Sequence, residues 1–302
     1  MGLFSALLAA LFIALSNLFM RRSMDAGGTT KGFLTIQMFV AFLVAVLLGP
    51  VKTGSYAWNG PIILLGLCSG LVLALMLLVL GKALEKGPPG FTFSILSAAT
   101  VMPAIVMAIL FGAAFGFYYT IWHGLGSLLV LAGLFWAGKS IQGMQNRRAW
   151  ALLAVAMFSL HVLLLVIYQW RAILLNFPEP FFTAEQIRSQ WFMPMLYLSA
   201  AIIQLSIYLK SERRKLLAKE WLYGFGAGAG NSLCTFFLIQ ATELATGFQS
   251  AVIFPLFSIG TIVFSNLWGQ YLYQEKVNWR ACQVCMLGIL MGTVDWKSLL
   301  GY

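Results

Sequence analysis

The sequence predicts an all-α integral membrane protein with ten transmembrane helices in two inverted five-helix repeats. Three observations carry that prediction. Of the 302 residues, 61% are hydrophobic and only 9% are charged, and with a mean hydropathy of +0.87 no aqueous core could hide so much apolar surface. The apolar residues come in stretches of roughly 20, the length a helix needs to cross a hydrocarbon layer of about 30 Å. The chain also repeats itself, because residues 90–112 align without gaps on residues 247–269, an offset of 157. Gly66, Gly70 and Glu85 stand 158 residues before Gly224, Gly228 and Glu243, so the echo runs through two successive stretches.

The first span, 2–20, carries Ser16 and Asn17. No basic region precedes it and Arg21 and Arg22 follow it, so it reads as a retained helix and not a secretory signal. Ala6 stands where an N-myristoylation motif needs Ser or Thr. The second span, 32–49, contains Gln37, and the third, 61–81, contains Gly66 and Gly70. In the fourth, 90–112, Thr92, Ser94, Ser97 and Thr100 recur at helical spacings ahead of Pro103, a hinge candidate. The fifth, 117–137, completes the first repeat, placed at 1–140.

The second repeat, 141–302, opens with the sixth span, 149–170, and His161 near its middle. A proline-containing interruption at 177–190 is too short to fold alone. Gln204 lies in the seventh span, 191–209. In the eighth, 221–242, the ladder Gly224, Gly226, Gly228, Gly230 favours close helix approach and leads into Asn231, Ser232 and Thr235. The ninth, 250–272, holds Pro255, Ser258 and Thr261, and the tenth, 279–296, holds Cys282 and Cys285.

Basic residues orient these spans. Of the 19 Lys and Arg, 15 fall in loops after the odd-numbered spans, whereas Lys52, Arg171, Arg188 and Lys297 lie on the other side. The first set is thereby assigned to the cytoplasm and both termini to the outside. This asymmetry accounts for the net charge of +10 without a nucleic-acid partner. Five spans per repeat is an odd number, so the second repeat enters the membrane inverted. Such symmetry lets two similar bundles exchange conformations and expose a central site to each side in turn.

Polar side chains are costly at mid-membrane unless they face the bundle interior, which makes them the default site candidates. His161 is the only ionisable side chain deep in a span. It could bind a carboxylate when protonated, carry a coupling proton, or hold a neighbouring helix as a neutral ring. Asn231 offers both donor and acceptor. Ser16, Asn17, Ser97, Thr100, Thr235 and Ser258 complete the candidate set, although each hydroxyl could instead bond a carbonyl of its own helix. Gln37 and Gln204 read as interhelical contacts.

Enzyme chemistry finds no support. The C-x-x-C of Cys282 and Cys285 has no second ligand pair, and the chain has no P-loop, nucleophile elbow, dinucleotide fingerprint or acid cluster. Neither a metal nor a cofactor is expected.

The region 241–292, with Ser250-Ala251, Pro255, Gly269, Glu275, Gly288 and Gly292, resembles the second repeat of the ten-helix, EamA-type drug/metabolite transporters. The first repeat keeps Gly90, Phe91, Gly112 and Gly133 but has no acid within 111–116, where that family carries a Gly-Glu pair. The resemblance extends over nearly the whole chain. It implies a secondary transporter of a small metabolite in the cytoplasmic (inner) membrane, with a cavity lined by helices 1, 3, 4, 6, 8 and 9. The family keeps both termini inside, opposite to the charge bias here.

The expected partners are therefore a small-molecule substrate, the lipid bilayer and protons, with the chain a monomer or homodimer. With Lys and Arg absent from mid-span, an amino acid, nucleoside-like compound or other zwitterion fits better than a multiply charged anion. The alternatives are a non-transporting receptor or assembly scaffold and a membrane-embedded enzyme acting on lipid.

Overall fold

The computed structural model describes residues 2–110, 121–139, 146–176, 190–212, 214–244, 248–274 and 276–293. The described residues form helices and connecting turns, with no strand among them. In chain order the helices are α1 (Gly2–Asp25), α2 (Thr30–Val46), α3 (Gly60–Lys86), α4 (Pro89–Ala98), α5 (Met102–Leu110), α6 (Ile121–Lys139), α7 (Arg147–Asn176), α8 (Phe192–Ser211), α9 (Ala218–Leu244), α10 (Phe248–Tyr273) and α11 (Trp279–Thr293). Five helical segments among the described residues are long and apolar enough to cross a membrane: Gly2–Asp25, Thr30–Val51, Gly60–Lys86, Arg147–Tyr168 and Phe192–Ser211. The protein is an all-α membrane protein.

Two of the apolar stretches depart from regular α-helix, each at a proline. After α2 the chain widens into a π-helical turn at Leu47–Val51 around the buried Pro50. The fourth stretch is broken: α4 stops at Ala98, a 3₁₀ turn covers Ala99–Val101, and α5 begins with Pro103 at its second position. A proline at 103 has no N–H for the carbonyl one turn earlier, so the ladder tightens before it. Pro255 falls inside α10, but its side chain lies outside the described residues, as does all of Glu275.

The helices form two compact units that interleave the two halves of the sequence. One comprises residues 1–14, 83–162 and 234–302, and the other 15–82 and 163–233. Helices α1, α3, α7 and α9 contribute part of their length to each.

In the second unit, glycines set the helix separations. A Cβ on Gly70 of α3 would strike the Leu196 carbonyl of α8, and one on Gly66 would come within 2.7 Å of the Phe192 carbonyl. A Cβ on Gly228 of α9 would lie 2.5 Å from the Gln37 carbonyl of α2, and one on Gly224 would lie 2.7 Å from Ile36. Small residues thus let backbone meet backbone at two crossings whose glycines stand 158 residues apart in the chain. In the first unit, α6 and α11 cross by the same device: a Cβ on Gly126 would strike Gly292, and one on Gly288 would come within 2.7 Å of the Gly126 carbonyl.

One end of the second unit is tied by Glu220, whose side chain is fully buried. Glu220 is the third residue of α9, and its carboxylate accepts from the backbone N–H of Leu217 (2.8 Å), closing a capping-box bond. It also accepts from the backbone N–H of Thr29 (2.8 Å), the N-cap of α2, whose own hydroxyl accepts from Gly32 N (3.1 Å). Gly32 occupies the position where a capping-box acid of α2 would stand, and a Cβ there would strike the Glu220 carboxylate. One carboxylate therefore caps two helices. Arg214 balances its charge through bonds to both oxygens and a 3.0 Å bridge to Glu212. Burial raises the Glu220 acid, but the Arg214 hydrogen bond and the two backbone N–H bonds outweigh it and hold the acid below its ordinary value.

At the other end of α2 the tie is aromatic. Trp58 and Trp191 meet with ring centroids 5.1 Å apart and planes tilted by 57°, and Trp191 Nε1 donates to the Tyr56 carbonyl at 3.4 Å.

Candidate functional site

Five of the eight sequence-predicted site residues, Ser97, Thr100, His161, Thr235 and Ser258, belong to the first unit, and Ser16, Asn17 and Asn231 to the second.

In the first unit the structure brings four of them together at the break between α4 and α5. Ser258 of α10 is fully buried and donates to Thr100 Oγ1 (2.8 Å), which donates in turn to the Ser97 carbonyl (2.9 Å). His161 stands on the packed face of α7 with Ala154 and Met157. Its Nδ1 lies 2.7 Å from the Leu96 carbonyl. A carbonyl only accepts, so Nδ1 carries the proton and the tautomer is set. The ring is half-buried. The same Leu96 carbonyl accepts from the backbone N–H of Ala99, so His161 docks where α4 passes into the 3₁₀ turn that bears Thr100.

The other hydroxyls here serve the helices. Thr92 Oγ1 donates to the Pro88 carbonyl (2.9 Å) and accepts from Trp150 Nε1 (3.2 Å), and Thr261 donates to the Phe257 carbonyl (2.8 Å). Sequence reasoning passed over Asn266, although an Asn inside an apolar span is itself the signal. Its amide donates to Ser94 Oγ (2.8 Å) and to the Ile262 carbonyl (2.9 Å), and it lies 3.7 Å from Cys282 Sγ. Cys285 Sγ reaches the Val130 carbonyl at 3.6 Å, so both thiols of the C-x-x-C pack against neighbouring groups.

In the second unit Ser16 is a crosslink. It donates to the Ala227 carbonyl of α9 (3.0 Å) and accepts from Gln37 Nε2 of α2 (3.0 Å), tying three helices. Gln204 Nε2 bonds the Ala74 carbonyl (2.9 Å) and Ser232 the Ala41 carbonyl (2.7 Å), so these too are interhelical contacts. The Asn231 side chain is half-buried, and its backbone carbonyl accepts from the Tyr197 hydroxyl at 3.4 Å.

Asn17 differs from the rest. It is only 7% exposed, and its Nδ2 has no hydrogen-bond partner among the described residues. A buried unpaired amide costs about 1–3 kcal/mol, so Asn17→Leu is expected to leave the unfolding temperature in detergent unchanged or raised. A clear fall would mean that the amide serves packing.

Among the described residues no group of three or more His, Cys, Asp or Glu could hold a metal ion.

No family model matches the chain, and no curated protein matches it. A solved structure, described only as the crystal structure of a protein, superposes with a TM-score of 0.65 over 99% of this chain and 96% of its own, at 15% identity. At that identity the match establishes a shared fold alone, over essentially the full length.

Proposed function

We propose that the protein is a ten-span secondary transporter of a small polar organic metabolite, built from two inverted repeats and working by alternating access. On this reading it is a divergent relative of the EamA-type drug/metabolite transporters, with its basic loops in the cytoplasm and both termini outside. The observation that carries it is the recurrence of one helix crossing. The glycines of α3 that admit α8 and the glycines of α9 that admit α2 are the residues paired by the 158-residue offset. The Thr100–Ser258 bond joins the two stretches that the 157-residue offset matches, one residue off that register. A duplicated helical frame carrying polar groups at mid-span is the architecture of a carrier.

The test is counterflow in proteoliposomes with pooled labelled amino acids, nucleosides and other zwitterionic metabolites, with and without a pH gradient. Substrate-specific exchange is expected from the wild type, together with loss of exchange in Asn17→Leu. Absence of exchange by folded protein would favour a receptor or assembly scaffold.

A further inference from the structure

We propose that the ligand group received by the His161 cluster is a hydrogen-bond donor, an ammonium or a neutral N–H, and not a carboxylate. The inference rests on the transport reading above and narrows its substrate class. It follows from counting what the two half-buried members of the cluster, Thr100 and His161, have left to offer, Ser97 and Ser258 being buried. The Nδ1 proton of His161 is engaged by the Leu96 carbonyl, the Ser258 proton by Thr100, and the Thr100 proton by the Ser97 carbonyl. A hydroxyl that donates once and accepts once keeps one lone pair, and a neutral imidazole protonated at Nδ1 presents Nε2 as an acceptor. Thr100 and His161, both half-buried, therefore offer two acceptors at the same helical turn and no donor.

A carboxylate would require a second proton on the ring, whereas an amine requires none. The nearest cation on the same helix is Arg171, 10 residues after His161, which is roughly 15 Å along the axis. That distance leaves an anion at this turn without a counter-charge from α7. Ser258 is fully buried and donates to Thr100, so Thr100 could donate to a ligand only by breaking its bond to the Ser97 carbonyl.

The experiment uses the full-length protein and matched triplets on one carbon skeleton: a primary amine, its N-trimethyl derivative with the same charge and no N–H, and the corresponding carboxylate. Counterflow in liposomes and ligand-induced thermal shift in detergent are both read. The wild type is expected to prefer the primary amine by about tenfold, the value of one hydrogen bond to a charged donor. His161→Asn keeps an N–H near the Nδ1 position and lacks Nε2, so it is expected to fold and to lose that preference. If it does not fold, His161→Gln, which can carry an acceptor to the Nε2 position, is expected to retain a preference that His161→Leu lacks.

A preference for the carboxylate or trimethyl member, an amine preference indifferent to these substitutions, or no binding by any triplet would overturn the inference. Carboxylate counterflow would do so while leaving the transport reading intact. An amine-specific thermal shift without counterflow would support the inference and count against transport.

Discussion

Replacing Glu220 by leucine is expected to destabilise the protein by about 3–5 kcal/mol, the cost of leaving a buried pair with one partner missing. The substitution removes the acceptor for the Leu217 and Thr29 backbone N–H groups, which uncaps α9 and α2 together, and it strands Arg214 beside Glu212 alone. Glu220→Gln retains the shape and one carbonyl oxygen and should lose less. The double variant Arg214→Leu, Glu220→Leu should lose less than the sum of the single changes, because the two side chains share one network. Thermal unfolding in mild detergent reads the wild type, the three single variants including Arg214→Leu, and the double variant.

The pH dependence has a definite sign. The folded-state acid is held below its ordinary value, so its contribution is complete above the unfolded-state value of 4.5 and declines as pH falls through the lower folded-state value. The wild type should therefore lose stability below about pH 4.5, with a smaller loss in Glu220→Gln. An identical acid profile in the two proteins would mean that the carboxylate is not the group being protonated.

Gly126→Ala is expected to cost about 3 kcal/mol, near the upper end of overpacking effects. The atoms that its methyl would strike or crowd are backbone atoms of Gly292 and the Gly288 carbonyl (2.6 Å), and backbone within a packed helix pair cannot swing aside as a side chain can. The two helices must separate, and the buried contacts of Val130, Cys282 and Ile289 loosen with them. Gly60→Ala is the control. A Cβ at Gly60 meets nothing within 4 Å, so this change at the start of α3 should be neutral or slightly stabilising. Equal effects at the two positions would show that the α6–α11 crossing tolerates separation.

Much of the helical layout was legible because lipid imposes it. The ten apolar stretches each carry helix in their described residues, since a chain in a hydrocarbon layer has to satisfy its backbone internally. The glycine ladder that includes Gly224 and Gly228 marked close approach in the sequence, and the structure supplies its partner, α2; that Gly66 and Gly70 admit α8 is shown by the structure. Gln37 and Gln204, read as interhelical contacts, bond Ser16 and the Ala74 carbonyl. Ser16, read as a site residue, has its donor and an acceptor engaged between helices, because which hydroxyl faces a neighbour depends on helix rotation. Glu220 was invisible as a shared cap. No Ser or Thr stands at Leu217 to complete a capping-box signature, and the second helix it caps begins 190 residues away at Thr30.

By itself the sequence determined the solvent and the helical class, because these follow from composition and from spacing along one chain. Tertiary structure alone decided that His161 is held through Nδ1 by the Leu96 carbonyl and that Ser258 anchors Thr100. Hydrogen-bond direction is a property of pairs of residues, and which donors remain free is known only once their partners are in place.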